Sequence, residues 1–226
     1  MKFPLATHRM TLSFKGQHDG AKNHYICVVY SKSYMPKMAK HLYIIAGCNG
    51  AGKTTASYSV LPYALHVTEF VNADEIAKGL SPFNPDSMAL LAGRLMLQRI
   101  NELLYAGKTF AVETTLATRS YINLIKEVHR RGYLVHILFF FLEDVSLAKK
   151  RVAKRVAMGG HNIPEDVIER RYLSGLHNLF NLFIGEVDTW IIFDNSHQVC
   201  QKVASGGKNC RTEIIDPVKF EYIKTK

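Results

Sequence analysis

At 226 residues, with 47% hydrophobic and 21% charged side chains, the chain suits one globular domain with room for a small insert. Its most apolar run, 133–142, is about half the ~20 residues that a spanning helix needs, which argues against a membrane segment. The formal net charge of +10 suggests a nucleic-acid partner, but residues 1–40 carry +6 and residues 202–226 carry +3, leaving +1 over 41–201, so the fold itself is not a basic binder.

Residues 1–38 mix Gly, Lys, His and Ser around one short apolar run at 25–30. They are expected to form a basic, mobile N-terminal extension, so that a chain begun at Met38 keeps the fold; an added edge strand at 25–30 is the alternative. From Leu42 onward strands and helices alternate. A β-rich run at 42–46 precedes a helix at 53–60 that Pro62 ends. A second strand is expected at 66–71. A long helix at 84–105 is opened by Pro85 and closed by Gly107. A third strand at 109–113 leads to a helix at 119–131 ending before Gly132. The fourth strand, 133–142, is apolar throughout and so buried on both faces. A helix at 144–158 stops at Gly159 and Gly160, and another runs from Pro164 to about 184. The last core strand is 189–193, and the basic end after it reads as solvated tail. This alternation predicts an α/β fold: a P-loop NTPase three-layer sandwich with a five-stranded parallel core sheet, helices on both faces and a helical lid at about 144–184, all within 39–226.

Four cysteines, Cys27, Cys48, Cys200 and Cys210, form no C-x-x-C pair, which argues against zinc and fits a reducing compartment. With no apolar core behind Lys2 and Arg9, no secretory signal is read and the cytoplasm is the expected location.

The strongest motif is Gly47-Cys48-Asn49-Gly50-Ala51-Gly52-Lys53-Thr54, a complete G-x-x-x-x-G-K-[ST] between an apolar strand and a helix. Its glycines let successive N–H groups turn toward phosphate oxygens. The helix start adds the positive end of a dipole. Lys53 is expected to reach the β- and γ-phosphates of ATP and Thr54 to ligate Mg2+, with Thr55 beside them. Cys48 reads as a small filler.

In a parallel sheet chemistry gathers where strands end. Asp74 stands just past the second strand, in Phe70-Val71-Asn72-Ala73-Asp74, and is placed to orient and deprotonate an acceptor hydroxyl. It could equally cap the helix that follows. Glu113 ends the third strand and could hold substrate hydroxyls, or Mg2+ through water. No apolar run ends in Asp-Glu, which favours transfer over hydrolysis. Arg151 and Arg155 lie i, i+4 on one helix face, and Arg170 and Arg171 follow a Gly159-Gly160 hinge. Together they could close over a triphosphate, or simply pair with Glu165, Asp166 and Glu169. The turn Phe193-Asp194-Asn195-Ser196 could pack near adenine.

From Leu42 to about Ile223 the chain resembles the zeta-toxin-like P-loop kinases. The resemblance rests on Gly-Cys-Asn-Gly-Ala-Gly-Lys-Thr-Thr, Asn-Ala-Asp-Glu-Ile-Ala, Glu-Thr-Thr-Leu-Ala-Thr-Arg and Arg-Val-Ala-Lys-Arg-Val-Ala-Met-Gly-Gly-His-Asn-Ile-Pro, the last followed by Arg-Arg-Tyr. It implies ATP and Mg2+ at Lys53 and Thr54, Asp74 as base, and one arginine on each side of the hinge serving the γ-phosphate. It places Glu113 and Thr115 near the substrate, and Asn72, two residues before Asp74, is a further substrate candidate. It also implies a small-molecule acceptor of the UDP-N-acetylglucosamine kind and an antitoxin-like protein partner. Ala117 stands where that family carries an arginine, with Arg119 the nearest substitute, and the turn Asn-Ala-Asp-Glu-Ile-Ala also departs from the toxin's own; both departures touch the acceptor side and make ATP use the safer inheritance. The readings carried forward are therefore a small-molecule kinase, a nucleotide or nucleic-acid-end kinase, and an NTP-dependent binding module without acceptor chemistry.

Overall fold

A computed structural model describes residues 39–226, and the expectations for 1–38 lie outside the described residues. Seven strands form one sheet in the order β2-β3-β1-β4-β5-β6-β7. They are β1 (Lys40–Gly47), β2 (Phe70–Val71), β3 (Phe110–Thr114), β4 (Tyr133–Phe141), β5 (Thr189–Asp194), β6 (Gln201–Gly207) and β7 (Cys210–Ile214). The first five pair in parallel, as the β-α alternation predicts. The helices are α1 (Lys53–Val60), α2 (Ala73–Leu80), α3 (Ala89–Tyr105), α4 (Tyr121–Arg130), α5 (Val145–Ala157), α6 (Glu165–Asn178) and α7 (Pro217–Lys224).

The centre of the sheet follows from apolar runs. β1 is buried from His41 to Gly47, and β4 is buried at eight of its nine positions. Such strands need helices on both faces, because neither side tolerates water. α3 turns Ala92, Met96, Ile100, Leu103 and Leu104 inward at helical spacing. α4 buries Ile125 and Val128. Cutting a fully buried side chain such as Ile44 to alanine costs about 2–5 kcal/mol in such cores.

The chain leaves β1 toward β2 and β3 on one side and returns to β4 and β5 on the other. This opens a crevice at the carboxyl ends of the central strands, where ligands bind in open α/β sheets.

Three expectations are corrected, and the helix at 53–60 is found as expected with an added turn. The second strand shrinks to two residues, because the chain through His66 takes a left-handed turn (φ 55°) and only Phe70 and Val71 reach β3. Pro62 ends α1 but does not stop the spiral, which widens into a π turn over Leu61–Leu65 where the missing N–H costs little. A second π turn, Leu179–Phe183, follows α6. The C-terminal end is no tail. β6 and β7 extend the sheet as an antiparallel hairpin, and Asp216 caps α7 by accepting from the Lys219 N–H at 2.9 Å. Phe220 of α7 stacks on Trp190 and meets Phe180 edge-on. No described helix is long and apolar enough to cross a membrane.

Candidate active site

The phosphate loop links β1 to α1. Gly47, Gly50 and Gly52 have φ of 140°, 79° and 83°, a region that side chains resist. They also lack room: a Cβ on Gly47 would lie 2.3 Å from the Phe140 carbonyl oxygen, and one on Gly50 would lie 2.8 Å from that of Ala148. The loop is therefore pressed against β4 and α5. Cys48, Asn49 and Ala51 are buried within it, and Thr55 faces out on α1. Burial pushes the Cys48 thiol up to about 11, against the pull of Lys53. It is no reactive thiolate.

Lys53 is 6% exposed. Its ammonium folds back onto the loop, donating to the Cys48 carbonyl at 2.9 Å and standing 3.6 Å from Glu113 Oε1. Thr54 Oγ1 donates to Glu113 at 2.9 Å. Asn72 Nδ2 donates to the same carboxylate at 2.9 Å. Three strands thus deliver one cluster: Lys53 and Thr54 after β1, Asn72 after β2, Glu113 near the end of β3. Burial raises the Glu113 carboxyl above its ordinary value, Lys53 and Thr54 pull it down, and Asp74 pushes it up.

Asp74 is exposed beside this cluster, in the first turn of α2. The cap of α2 is Asn72, whose Oδ1 accepts from the Asp74 N–H at 2.8 Å. Capping by Asp74 is thereby corrected: its side chain is free of that duty. Thr115 is half-buried in the turn after β3, and Arg119 is exposed further on. α6 braces that turn, because a Cβ on Gly175 would stand 2.5 Å from the Thr115 carbonyl oxygen and Asn178 Nδ2 donates to that of Leu116 at 2.7 Å.

The four arginines separate. Arg171 donates to Asn49 Oδ1 in the phosphate loop, at 3.3 Å. Arg151 donates to the Ser196 carbonyl at 2.9 Å and lines a cavity of about 550 Å3 with Gly50, Gly52, Asn195 and His197. Arg155 turns away, onto the His161 carbonyl at 2.9 Å. Arg170 is exposed. None of the four pairs with a carboxylate among the described residues; Glu165 and Glu169 take Lys149 instead, at 3.4 and 3.1 Å. His161 stands 2.6 Å from Asp86, across a second cleft of about 290 Å3 between the α5–α6 bend and the α2–α3 connection.

A glycine cradle with a buried lysine and a helix-start threonine marks a P-loop, and comparison with protein families agrees. Residues 42–174, more than half of the chain, match the family described as AAA domain. The chain belongs to that family. A relative of this AAA domain, an uncharacterized protein of Haemophilus influenzae, is 31% identical over 126 residues, or 56% of this chain and 88% of that protein. Among solved structures, AvrRxo1-ORF1:AvrRxo1-ORF2 with sulphate ions is similar at TM-score 0.68 and 15% identity, over 83% of this chain. The chain spans only 64% of that neighbour's length. A structure of the PezAT toxin-antitoxin system of Streptococcus pneumoniae is similar at TM-score 0.54 and 14% identity, over 73% of this chain and 72% of that one. At such identities the likeness is one of fold: an α/β P-loop, kinase-like domain.

The residues of this AAA domain fit a magnesium nucleotide. Three glycine positions leave no room for a Cβ or demand a left-handed backbone, and one ammonium and one hydroxyl are kept inside by partners that a ligand could replace. Among the described residues no group of three or more His, Cys, Asp and Glu side chains is placed to hold a metal by itself. Sequence reasoning missed Asn49 as the partner of Arg171 and missed Asn178 behind the β3 turn. Neither carries a local signal, since both partnerships form across sequence separations above 60 residues.

Proposed function

We propose that the chain transfers the γ-phosphate of ATP, bound with Mg2+, to a hydroxyl of a small-molecule acceptor. The observation that carries the reading is the meeting of two unlike carboxylates at the phosphate loop. Glu113 is largely enclosed, its side chain 9% exposed, and tied to Thr54, Lys53 and Asn72, while Asp74 is exposed next to it with its side chain uncommitted to capping. A hydrolase needs an ordered water and a residue to aim it; an open carboxylate beside the loop suits an incoming hydroxyl.

In this reading Lys53 would exchange the Cys48 carbonyl for the β- and γ-phosphates, and Thr54 would exchange Glu113 for the ion. When bound, Mg2+ neutralises charge on the phosphate oxygens. Glu113 stays fixed by Asn72 and orients water or substrate hydroxyls. Asp74 accepts the proton of the attacking hydroxyl, a role that its exposed carboxylate beside the loop can reach. Arg151 before the bend and Arg171 after it stand toward the loop and would stabilise charge on the transferred group, with Asn49 exchanged for phosphate oxygen as the partner of Arg171. The cleft beside Asp86 and His161 opens one helical turn beyond Asp74, past Lys78, and is the acceptor's way in. Thr115 and Arg119 would border the acceptor.

The neighbour AvrRxo1-ORF1:-ORF2 was crystallised with ATP, which makes ATP the first donor to test. The resemblance to zeta-toxin-like kinases makes UDP-N-acetylglucosamine the first acceptor, and the toxin-antitoxin setting of PezAT makes an antitoxin-like protein the first partner to seek. A nucleotide or nucleic-acid-end kinase is the second reading, and salt-dependent RNA binding would favour it.

The test is incubation with labelled ATP, Mg2+ and a metabolite panel including UDP-N-acetylglucosamine, followed by mass spectrometry. A single acceptor gaining one phosphate, lost in Asp74→Asn with ATP affinity kept, supports the proposal. ATP turnover that Asp74→Asn leaves unchanged rejects it in favour of an NTP-dependent module without acceptor chemistry.

A further inference from the structure

The turn after β5 is tied to four elements at once. Asp194 is 2% exposed, and its Oδ2 takes the Lys219 ammonium of α7 at 2.5 Å. Its Oδ1 accepts from the Ser196 N–H at 2.9 Å and from the Ser196 hydroxyl. The Ser196 hydroxyl oxygen accepts from the Glu143 N–H at 2.8 Å, past the end of β4, and the Ser196 carbonyl accepts from Arg151 of α5. Between these two residues Asn195 projects onto the phosphate loop. Its backbone N–H is held by the Phe141 carbonyl at 2.9 Å, and its side-chain Nδ2 donates to the Ala51 carbonyl at 2.8 Å. The approach is close, since a Cβ on Gly52 would lie 2.6 Å from that Nδ2.

We propose that Asn195 is a positioning residue for nucleotide binding, pinning the phosphate loop through Ala51, and that the Lys219–Asp194 pair holds the turn from which it acts. The C-terminal helix α7, which touches no part of the loop in this network, thereby takes part in shaping the cradle. The physics is that of pre-organisation. A loop whose N–H groups must converge on phosphate pays an ordering cost on binding unless its carbonyls are already anchored. The Ala51 carbonyl belongs to the peptide between Ala51 and Gly52, so fixing it fixes the orientation of the Gly52 N–H. Asp194 can stay ionised inside the fold because its partners outweigh burial. Burial works to raise its carboxyl, yet Lys219 and Ser196 hold it below the ordinary value. The strut rests on the reading that the loop binds Mg·ATP.

Two measurements test it on the full chain: calorimetric affinity for Mg·ATP, and hydrogen exchange of the backbone amides of residues 48–52 without nucleotide. Asn195→Ala is expected to weaken Mg·ATP about fivefold and speed loop exchange by a similar factor, the effect of one lost hydrogen bond. Lys219→Met should do the same from a distance, while Lys219→Arg restores both values to within twofold. Phe220→Leu, a core change in α7, serves as control: it lowers the melting temperature but should leave affinity and loop exchange as in the parent. Loop exchange and affinity unchanged in Asn195→Ala would overturn the inference, as would an equal loss in Phe220→Leu. Should the parent itself bind no Mg·ATP at millimolar concentration, the kinase reading falls and the exchange measurement alone judges the strut.

Discussion

The two ends of the parallel strands follow opposite electrostatic plans. At the carboxyl ends charge is kept inside and paired: Lys53 with Glu113, Asp194 with Lys219. Toward the amino ends the buried polar groups are neutral rings. His41 Nδ1 meets His136 Nε2 at 2.9 Å, His136 Nδ1 meets Thr189 Oγ1 at 2.7 Å, and Tyr43 stacks on His136 with centroids 4.9 Å apart. The nearby carboxylate, Asp188, is spent on the Val135 N–H at 2.7 Å and on His129 at 2.8 Å. Buried charge is expensive, so the fold pairs it at the end that carries the phosphate loop and keeps it out of the other.

The largest effects should come from breaking the charged end. Lys53→Ala removes the ammonium meant for phosphate and is expected to weaken Mg·ATP by about 10²–10³-fold by calorimetry. Asp74→Asn should instead leave that affinity within about threefold while transfer to the identified acceptor falls by about 10²–10⁴-fold. Were the two variants to behave alike, Asp74 would belong to nucleotide binding and the division of labour between the carboxylates would be wrong.

The neutral end should reveal itself by pH. Burial, reinforced by His41, pushes His136 down to about 4, from an ordinary 6.5, and burial lowers His41 as well, with Asp188 pulling both upward. A histidine whose folded pKa is depressed binds its proton more readily once unfolded. Its contribution is therefore whole above about pH 6.5 and is lost as pH falls toward 4. At about 1.4 kcal/mol per unit, this one group can remove up to about 3 kcal/mol across that window. Urea melts at pH 7, 6 and 5 should show the slope, and His136→Gln should flatten it. An equal slope in the variant would assign the acid loss to carboxylates elsewhere.

The charged end was far more legible in the sequence than the neutral one. Gly47 to Thr54 is contiguous, and its glycines have one physical use together. β1 and β4 announce themselves by unbroken apolar runs. Asn72 as cap was hidden because Asp74 is an equally good cap by type, and only the backbone decides which oxygen faces the free N–H groups. β6 and β7 were missed because Gln201 to Ile214 mixes two adjacent glycines with exposed charge: a Cβ on Gly206 would strike the Trp190 ring at 2.6 Å, so small residues there serve packing and read as loop. The His41–His136–Thr189 chain joins residues 95 and 53 positions apart, and no local pattern encodes it.

The arginines offer the finest division within the charged end. The sequence gives four equivalent cations around a glycine hinge, but the fold commits them differently. Arg171 bonds to Asn49 of the phosphate loop and Arg151 to the Ser196 carbonyl, Arg155 spends its guanidinium on the bend at His161, and Arg170 faces water. Removing Arg151 or Arg171 should lower kcat/KM by about 10- to 100-fold if each meets charge that develops on the transferred phosphate. Arg155→Ala acts only through the bend, so it should raise the acceptor KM severalfold and leave ATP affinity alone. Arg170→Ala should fall within about twofold of the parent, since an exposed cation contributes little through water. A ranking with Arg170 above Arg171 would mean that α6 rotates about its axis when the substrates bind, because one residue's step along a helix turns a side chain by about 100°.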